Sequence, residues 1–585
     1  MKKFKFQMTH VNALIILAVA AVMMACEPPV VDPPIDPKDT TKVDTGQVEI
    51  PKTEWEIADS IYTVADWTVP SHTAFKIAVT ACENDPSEMN IETMRQRIKE
   101  LVPKTEPYNM VATINGDPAT RMAFCWFTNE GVEQGEVQLV AKADATEEDF
   151  SSGVMTVPAT PTTTKGIRYT GAVPYIAKLS GIKSSVKYKY VSHKALAQGL
   201  APGTCYSWRV GYEDPETHEG QWSPIAQFRT MDANQGEFTF LYMTDSHLMN
   251  QEYITHAYNC AYAAALTVPE ARFCVFPGDF VEDGTVTNSE WEWERWFEES
   301  FEPIIKKMPI VPTDGNHDDS PNINYDYHFN TDTEFGNHAK TAPQFKGITY
   351  SFVYGDVLFL VYSLQDWWRA HGSDEEKMES SYLSDDVANW MRAQVAANPD
   401  TKYRVTLSHK NIFSGSDHST DSETPLFRKI MLPVFKECEI DLALQGHDHT
   451  YEVIGPVNPD NCTPILSAIS DRVQVEVDAT HNVTGYKGGT YCVDDGTLYF
   501  IGATCGRKRY SPHDRARMET DYPRHKVENY FDLFTGMFGQ PGAPSFTKIT
   551  VREDCIEFDS YTAGPNGATR HYNNMKVVRT KPHNN

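Results

Sequence analysis

Seven side chains able to hold a cation recur at one kind of place in this sequence. Asp245 and His247 follow the apolar run 238–243, and Asp279 follows residues 272–277 in a Gly-Asp pair. Asn316 follows residues 308–311 and Gly315, with His317 and Asp318 directly behind it. His409 follows 403–407 and Ser408, and His447 and His449 follow 440–444 in Gly446-His447-Asp448-His449. A short apolar run of this kind reads as a strand covered on both faces. Open α/β sheets place their ligands beyond the carboxyl ends of such strands. Each pair alone is weak, because Gly-Asp and Gly-Asn often do no more than mark a turn. Hard oxygens and imidazoles converging together on one sheet edge describe a metal site. Three carboxylate or carboxamide groups with four imidazoles suit iron, zinc or manganese better than magnesium or calcium, which favour all-oxygen shells.

The elements that position these residues alternate. Helices are expected at 252–266, 289–307 and 385–397, with another after Thr424-Pro425, and strands recur at 349–353, 357–362, 497–501, 547–551 and 555–561. Two sheets packed face to face with helices outside use all of them. Before residue 232 the pattern changes to short strands separated by turn residues, at 121–127, 136–140, 186–193, 205–212 and 226–230, which is the spacing of a β-sandwich. The segment 51–107 is assigned only a strand at 75–79 and a helix at 87–101, and residues 576–585 read as a polar tail.

The order Asp-x-His, Gly-Asp, Gly-Asn-His-Asp, Ser-His and Gly-His-Asp-His resembles the signature of the calcineurin-like metallophosphoesterases. The preceding stretches DPATRMAFCWFTNE, LAPGTCYSWRVGYED and WSPIAQFRT resemble the fibronectin-type-III-like amino-terminal domain of purple acid phosphatases. These resemblances imply an α/β fold: a four-layer sandwich of two mixed sheets flanked by helices at 233–580, behind a fibronectin-type-III-like sandwich at 108–232. They imply two metal ions, with Asp245, His247 and His449 on one, Asn316, His409 and His447 on the other, and Asp279 bridging. They also imply hydrolysis of a phosphate ester by hydroxide held between the metals, with His317 beside the leaving group and Asp318 orienting it. Two departures narrow the family. Purple acid phosphatases carry D-x-G where this chain has Asp245-Ser246-His247, and a tyrosine ligand where it has Glu282. The expected enzyme is therefore colourless or weakly coloured. Protein Ser/Thr phosphatases carry an arginine at the position of Asp283, which argues against that branch.

The basic island 505–526 offers Arg507 and Arg509 as cations that reach a phosphate oxygen, and the stretch after strand 357–362 offers Trp367, Trp368 and His371 as a cleft wall. Residues 322–328 are a possible lid. Phosphomonoesters are the expected substrates, with phosphodiesters as the alternative. The rival from another class is a surface binding protein with a vestigial site, against which all seven ligand positions are filled.

With 585 residues the chain exceeds one core, and its net charge of −28, from 52 basic and 80 acidic side chains, disfavours nucleic acid as a partner. Residues 1–26 read as a signal peptide, with Lys2, Lys3 and Lys5 and an apolar stretch at 11–25; its end, Met23-Met24-Ala25-Cys26, resembles a bacterial lipoprotein lipobox, which implies a lipidated thiol on Cys26. The Pro-rich spacer 27–50 would lift the folded part off a membrane. This implies an exported lipoprotein anchored to a bacterial envelope through Cys26. Eleven cysteines leave room for one or two disulfides.

Overall fold

The computed structural model describes residues 107–164, 190–214, 219–249, 251–282, 290–318, 323–335, 347–365, 386–471 and 488–584, with short pieces between them. The signal and spacer segments with Cys26, the expected strand 75–79, and Trp367, Trp368 and His371 lie outside the described residues. Of the expected helix 87–101, residues 87–90 and 93 belong to them.

Strand Phe238–Tyr242 shows why the core forms. Its alternate side chains Phe238, Phe240 and Tyr242 enter one apolar cluster, and Leu241 and Met243 enter another. That is the period-two pattern of a strand covered on both faces. The first cluster lies between two mixed sheets and includes Phe273, Phe352, Phe359, Phe500 and Phe558. The second takes in Ala257, Ala261 and Ala264 of helix Gln251–Thr267, and Phe427, Met431 and Phe435 of helix Glu423–Glu437. In one sheet the parallel strands Phe238–Tyr242, Cys274–Pro277 and Ile310–Thr313 lie side by side. In the other, Val357–Val361, Tyr403–Leu407, Leu442–Gln445 and Thr497–Gly502 do the same. All the ligand-bearing turns therefore leave the same edge of the stack.

The first sheet does not end at residue 232. Strand Tyr108–Thr113 pairs in parallel with Ile310–Thr313 and antiparallel with Arg121–Asn129, so half of the β-sandwich continues the same twelve-stranded sheet. Its other half is a five-stranded antiparallel sheet, and Phe124, Trp126, Trp208 and Phe228 fill the space between them.

Three expectations change. The helix expected over 289–307 breaks into Glu290–Arg295, a wider turn at Trp296–Ser300 and Glu302–Ile305, because Pro303 lacks the N–H and its ring clashes with an α-helical carbonyl. The 322–328 segment is no lid. Within helix Ile323–His328, Tyr325, Tyr327 and His328 are buried, and the Ser192 hydroxyl donates to the Tyr327 carbonyl at 2.7 Å. Beyond the helix, the Asn330 amide donates to the carbonyls of Phe124 and Ala195 at 3.2 and 2.9 Å. The tail is not a solvated coil. Strand Thr569–Val578 carries it into a buried acidic cluster, where Arg579 reaches Asp441 at 2.7 Å and His583 reaches the same carboxylate at 3.1 Å. All nine described cysteines are free. Among the described residues no helix is long and apolar enough to cross a membrane.

Candidate metal centre

Three of the five ligand turns are backbone under constraint. Asp245, His247, Asp279, His447 and His449 all have positive φ, between 40° and 73°, a conformation that L side chains rarely adopt. Each such residue costs of order 1 kcal/mol or more and persists only where its surroundings hold it. Packing against the neighbouring strand ends supplies that hold. A Cβ on Gly315 would lie 2.0 Å from Asp279 Oδ1, and one on Gly278 (φ 81°) would lie 2.7 Å from His409 Nδ1. The glycines let the Asp279 and Asn316 turns touch.

The side chains converge with their lone pairs inward. Asp279 Oδ2 lies 3.3 Å from His247 Nε2 and 3.2 Å from His409 Nε2. His409 Nε2 is 3.0 Å from Asn316 Oδ1. On the other side, His449 Nε2 is 3.0 Å from His247 Nε2 and 3.1 Å from Asp245 Oδ1. His447 joins Asp279 and His409 in one group of mutually close ligand atoms, and Asp245, His247, Asp279 and His449 form another; His247, Glu282 and His317, and His418, Asp421 and His447, make two more at the flanks. Asp279 belongs to the first two. Its Oδ2 is buried and has no hydrogen-bond partner, although acceptors of that kind are almost always paired inside proteins. Atoms bound to one ion at about 2.1 Å lie roughly 3.0–3.4 Å from each other, so this spacing fits two cations sharing Asp279. The electrostatics agree. Burial disfavours charge, yet Asp279 raises His409 and Glu282, Asp245 and Asp279 raise His247, each to about 9. Burial pushes Asp279 up, but His409, His317 and His247 hold it well below the ordinary carboxylate range. The carboxylates draw positive charge to His247 and His409, whereas burial pushes His317, His447 and His449 down and keeps these imidazoles neutral.

A second layer orients the ligands. His409 Nδ1 faces the Pro277 carbonyl at 2.8 Å, which leaves Nε2 as the ligating nitrogen. Glu282 Oε2 sits 2.5 Å from His247 Nδ1 and does the same for that ring. Asp448, between two ligands, accepts from the Ser414 and Ser416 hydroxyls at 2.6 Å each and from the Gly415 amide at 2.9 Å.

Asp318 is corrected. It does not orient His317: its Oδ2 accepts the Asp279 and Gly315 amides, both at 2.8 Å, and its Oδ1 the Phe280 amide at 2.9 Å. It ties two ligand turns together, and burial beside Asp279 pushes its carboxyl up to about 8. His317 is positioned by the Glu282 carbonyl, 2.5 Å from Nδ1, and by its own amide donating to Asp279 Oδ1 at 2.9 Å. Its ring stands edge-on to His247 at 4.8 Å.

Neither arginine meets a residue of the metal centre. Arg507 Nε pairs with Glu252 at 2.6 Å and the guanidinium covers Tyr253, while Arg509 buries its Nε without a hydrogen-bond partner. The cation that reaches the site is Lys508 between them, 3.3 Å from both Glu282 oxygens. Two further residues were not legible. His418 stacks on His447 at 3.6 Å with Nδ1 on Asp421, and Tyr510 lies flat on His449 at 4.3 Å.

Comparison with known proteins matches residues 238–451 to the calcineurin-like phosphoesterase family and residues 107–230 to the purple acid phosphatase N-terminal domain. An uncharacterized Mycobacterium tuberculosis protein is 24% identical over 322 residues, 51% of this chain and 58% of that protein. Purple acid phosphatase 23 of Arabidopsis thaliana is 22% identical over 308 residues, 49% of this chain and 63% of that protein. The match thus spans less than two thirds of either relative. The purple acid phosphatase PPD1 from yellow lupin (Lupinus luteus) seeds superposes with a TM-score of 0.56 at 14% identity, over 81% of this chain and 75% of that one, a likeness of fold. Two matched regions in the order expected and the buried Asp/His clusters agree: residues 238–451 are a calcineurin-like phosphoesterase region, and residues 107–230 ahead of it are a purple acid phosphatase N-terminal domain.

Proposed function

We propose that this centre hydrolyses phosphomonoesters. The observation that carries the reading is the unpartnered Asp279 Oδ2, held between two imidazole nitrogens where the two ligand groups meet. When bound, two cations of the iron, zinc or manganese kind supply a nucleophile at neutral pH and neutralise charge on the phosphoryl group. The chain's own residues do the rest. Asp245, Asp279, Asn316 and the four imidazoles would hold the cations and thereby fix where the phosphate sits. His317 lies at the rim with its side chain 26% exposed and Nδ1 tied to the Glu282 carbonyl, so Nε2 is the nitrogen left for the leaving oxygen; burial pushes this imidazole down, and it passes a proton there only in its imidazolium form. His418, with Nδ1 held by Asp421 at 2.8 Å, offers a second imidazole on the His447 side. Support for a monoester comes from the purple-acid-phosphatase-type sandwich and from the purple acid phosphatase among the relatives. Glu282 at the tyrosine position supports an iron-loaded form with little colour.

The test offers p-nitrophenyl phosphate and bis-p-nitrophenyl phosphate to the metal-loaded chain. Faster turnover of the monoester is the expected result. Preference for the diester moves the assignment to phosphodiesterase, and silence on both with no metal bound overturns the enzyme reading.

The same proposal places the protein on a bacterial envelope, anchored through lipid on Cys26, supported by the basic start, the apolar stretch and the Pro-rich spacer of the sequence. Cys26→Ser is expected to move the protein from the membrane to the soluble fraction; unchanged fractionation removes the anchor.

A further inference from the structure

The loop after strand Thr497–Gly502 runs along the rim of the centre and is fastened at several points. The Thr504 hydroxyl donates to the Asp245 carbonyl at 2.5 Å. Gly506 packs so closely that a Cβ there would lie 2.3 Å from the Ser246 carbonyl oxygen. Further on, the Gln540 amide donates to the carbonyls of both His449 and Tyr510 at 2.9 Å, and the His513 amide donates to Gly415 at 2.8 Å. Lys508 stands midway in this fastened stretch. Its Nζ is one carboxylate away from the chemistry: Glu282, which it meets at 3.3 Å, is 2.5 Å from His247 Nδ1 and 4.0 Å from His317 Nδ1. Its charge is felt by His247, His317 and His449. At 3.3 Å the pairing is looser than the 2.8 Å of Lys410 with Glu423, and the lysine side chain keeps 23% of its surface open. In a chain of net charge −28, a cation held at this rim is set against the background.

We propose that Lys508 selects the phosphomonoester over the diester by taking one non-bridging oxygen of the bound phosphate, with Glu282 as its resting partner. The inference rests on the phosphoesterase reading and deepens it. A monoester near neutral pH carries close to two charges on three non-bridging oxygens. A diester carries one charge on two, and its remaining corner bears a carbon substituent. A fixed ammonium at that third corner gains a charge-assisted hydrogen bond from the monoester. Against a diester it loses its hydration to a group that returns nothing, which is discrimination by an unpaired charge.

The experiment uses the metal-loaded full chain and compares wild type, Lys508→Gln, Lys508→Arg and the double variant Glu282→Gln/Lys508→Gln. Metal content and melting temperature are checked for each. Two quantities are read: the monoester-to-diester ratio of kcat/KM, and the affinity for inorganic phosphate by calorimetry. Loss of one charge-assisted hydrogen bond in Lys508→Gln is expected to lower both by about tenfold or more. Lys508→Arg is expected to keep most of each, and the double variant to stay as defective as Lys508→Gln. If both quantities in Lys508→Gln stay within about twofold of wild type, or return in the double variant, Lys508 is only the counter-ion of Glu282 and the proposal falls. A wild type that hydrolyses neither ester yet binds phosphate removes the hydrolase reading, and the phosphate affinities still decide Lys508. A wild type that binds no phosphate overturns the proposal.

Discussion

Asp279→Asn is expected to remove at least three decades of turnover on either ester class, because the bridging charge contributes several kcal/mol and each 1.4 kcal/mol is about tenfold. The substitution is nearly isosteric. Asn can keep the acceptor for the His317 amide, which Asp279 Oδ1 serves at 2.9 Å, so the turn has little reason to move. What changes is the position of Oδ2, 3.3 and 3.2 Å from two imidazole nitrogens. An amide NH₂ there cannot ligate, and an amide oxygen there brings no charge. Metal analysis should show fewer than two ions per chain, while the circular dichroism spectrum stays that of wild type. Turnover within about tenfold of wild type, with two ions still bound, would exclude Asp279 as the shared ligand.

Asp318→Asn should do something different, and the difference separates two roles. The Asp318 carboxyl collects four backbone N–H groups, from Asp279, Gly315 and Phe280 at 2.8–2.9 Å and from Val281 at 3.3 Å, in a site shut off from solvent. An amide in its place turns a donor towards at least one of these donors. Each orphaned buried N–H costs about 1–3 kcal/mol, so a loss of roughly 2–5 kcal/mol is expected. It should appear as a lower melting temperature and weaker metal retention, with turnover falling as a consequence. His317→Ala, by contrast, should leave both intact and reduce turnover by about 10²–10⁴. If Asp318→Asn instead matched His317→Ala, with stability and metal content unchanged, the carboxylate would be acting through His317 and not through the backbone.

Asp318 also shows where sequence reasoning stops. Adjacency to His317 suggested a pair, whereas the fold turns the carboxylate back onto the amides of residues almost forty positions earlier. The convergence of these residues was legible because each follows an apolar strand, and buried parallel strands present their carboxyl ends together. Helices Gln251–Thr267 and Glu423–Glu437 were legible for the same local reason, their spacing of apolar side chains. Lys508 was missed for Arg507 and Arg509 because composition marks a basic island without saying which side chain faces inward. The pairing of Tyr108–Thr113 with Ile310–Thr313 and the docking of Arg579 on Asp441 are long-range matches. Neither has a local pattern to announce it.

Strand Phe238–Tyr242, from which Asp245 emerges, has one neighbour close in sequence, Cys274–Pro277, and one far away, Ser545–Val551, with the facing pair Thr239 and Thr550 lying 311 residues apart. During synthesis the second edge of that strand therefore stays open until nearly the whole chain has left the ribosome. An apolar strand with an open edge is a template for pairing with other chains. Slow, non-local closure of this kind makes yield depend on chaperone supply and temperature. It also means that a truncation before residue 545 does not simply trim the protein: it removes a neighbour of the strand that carries the first ligand.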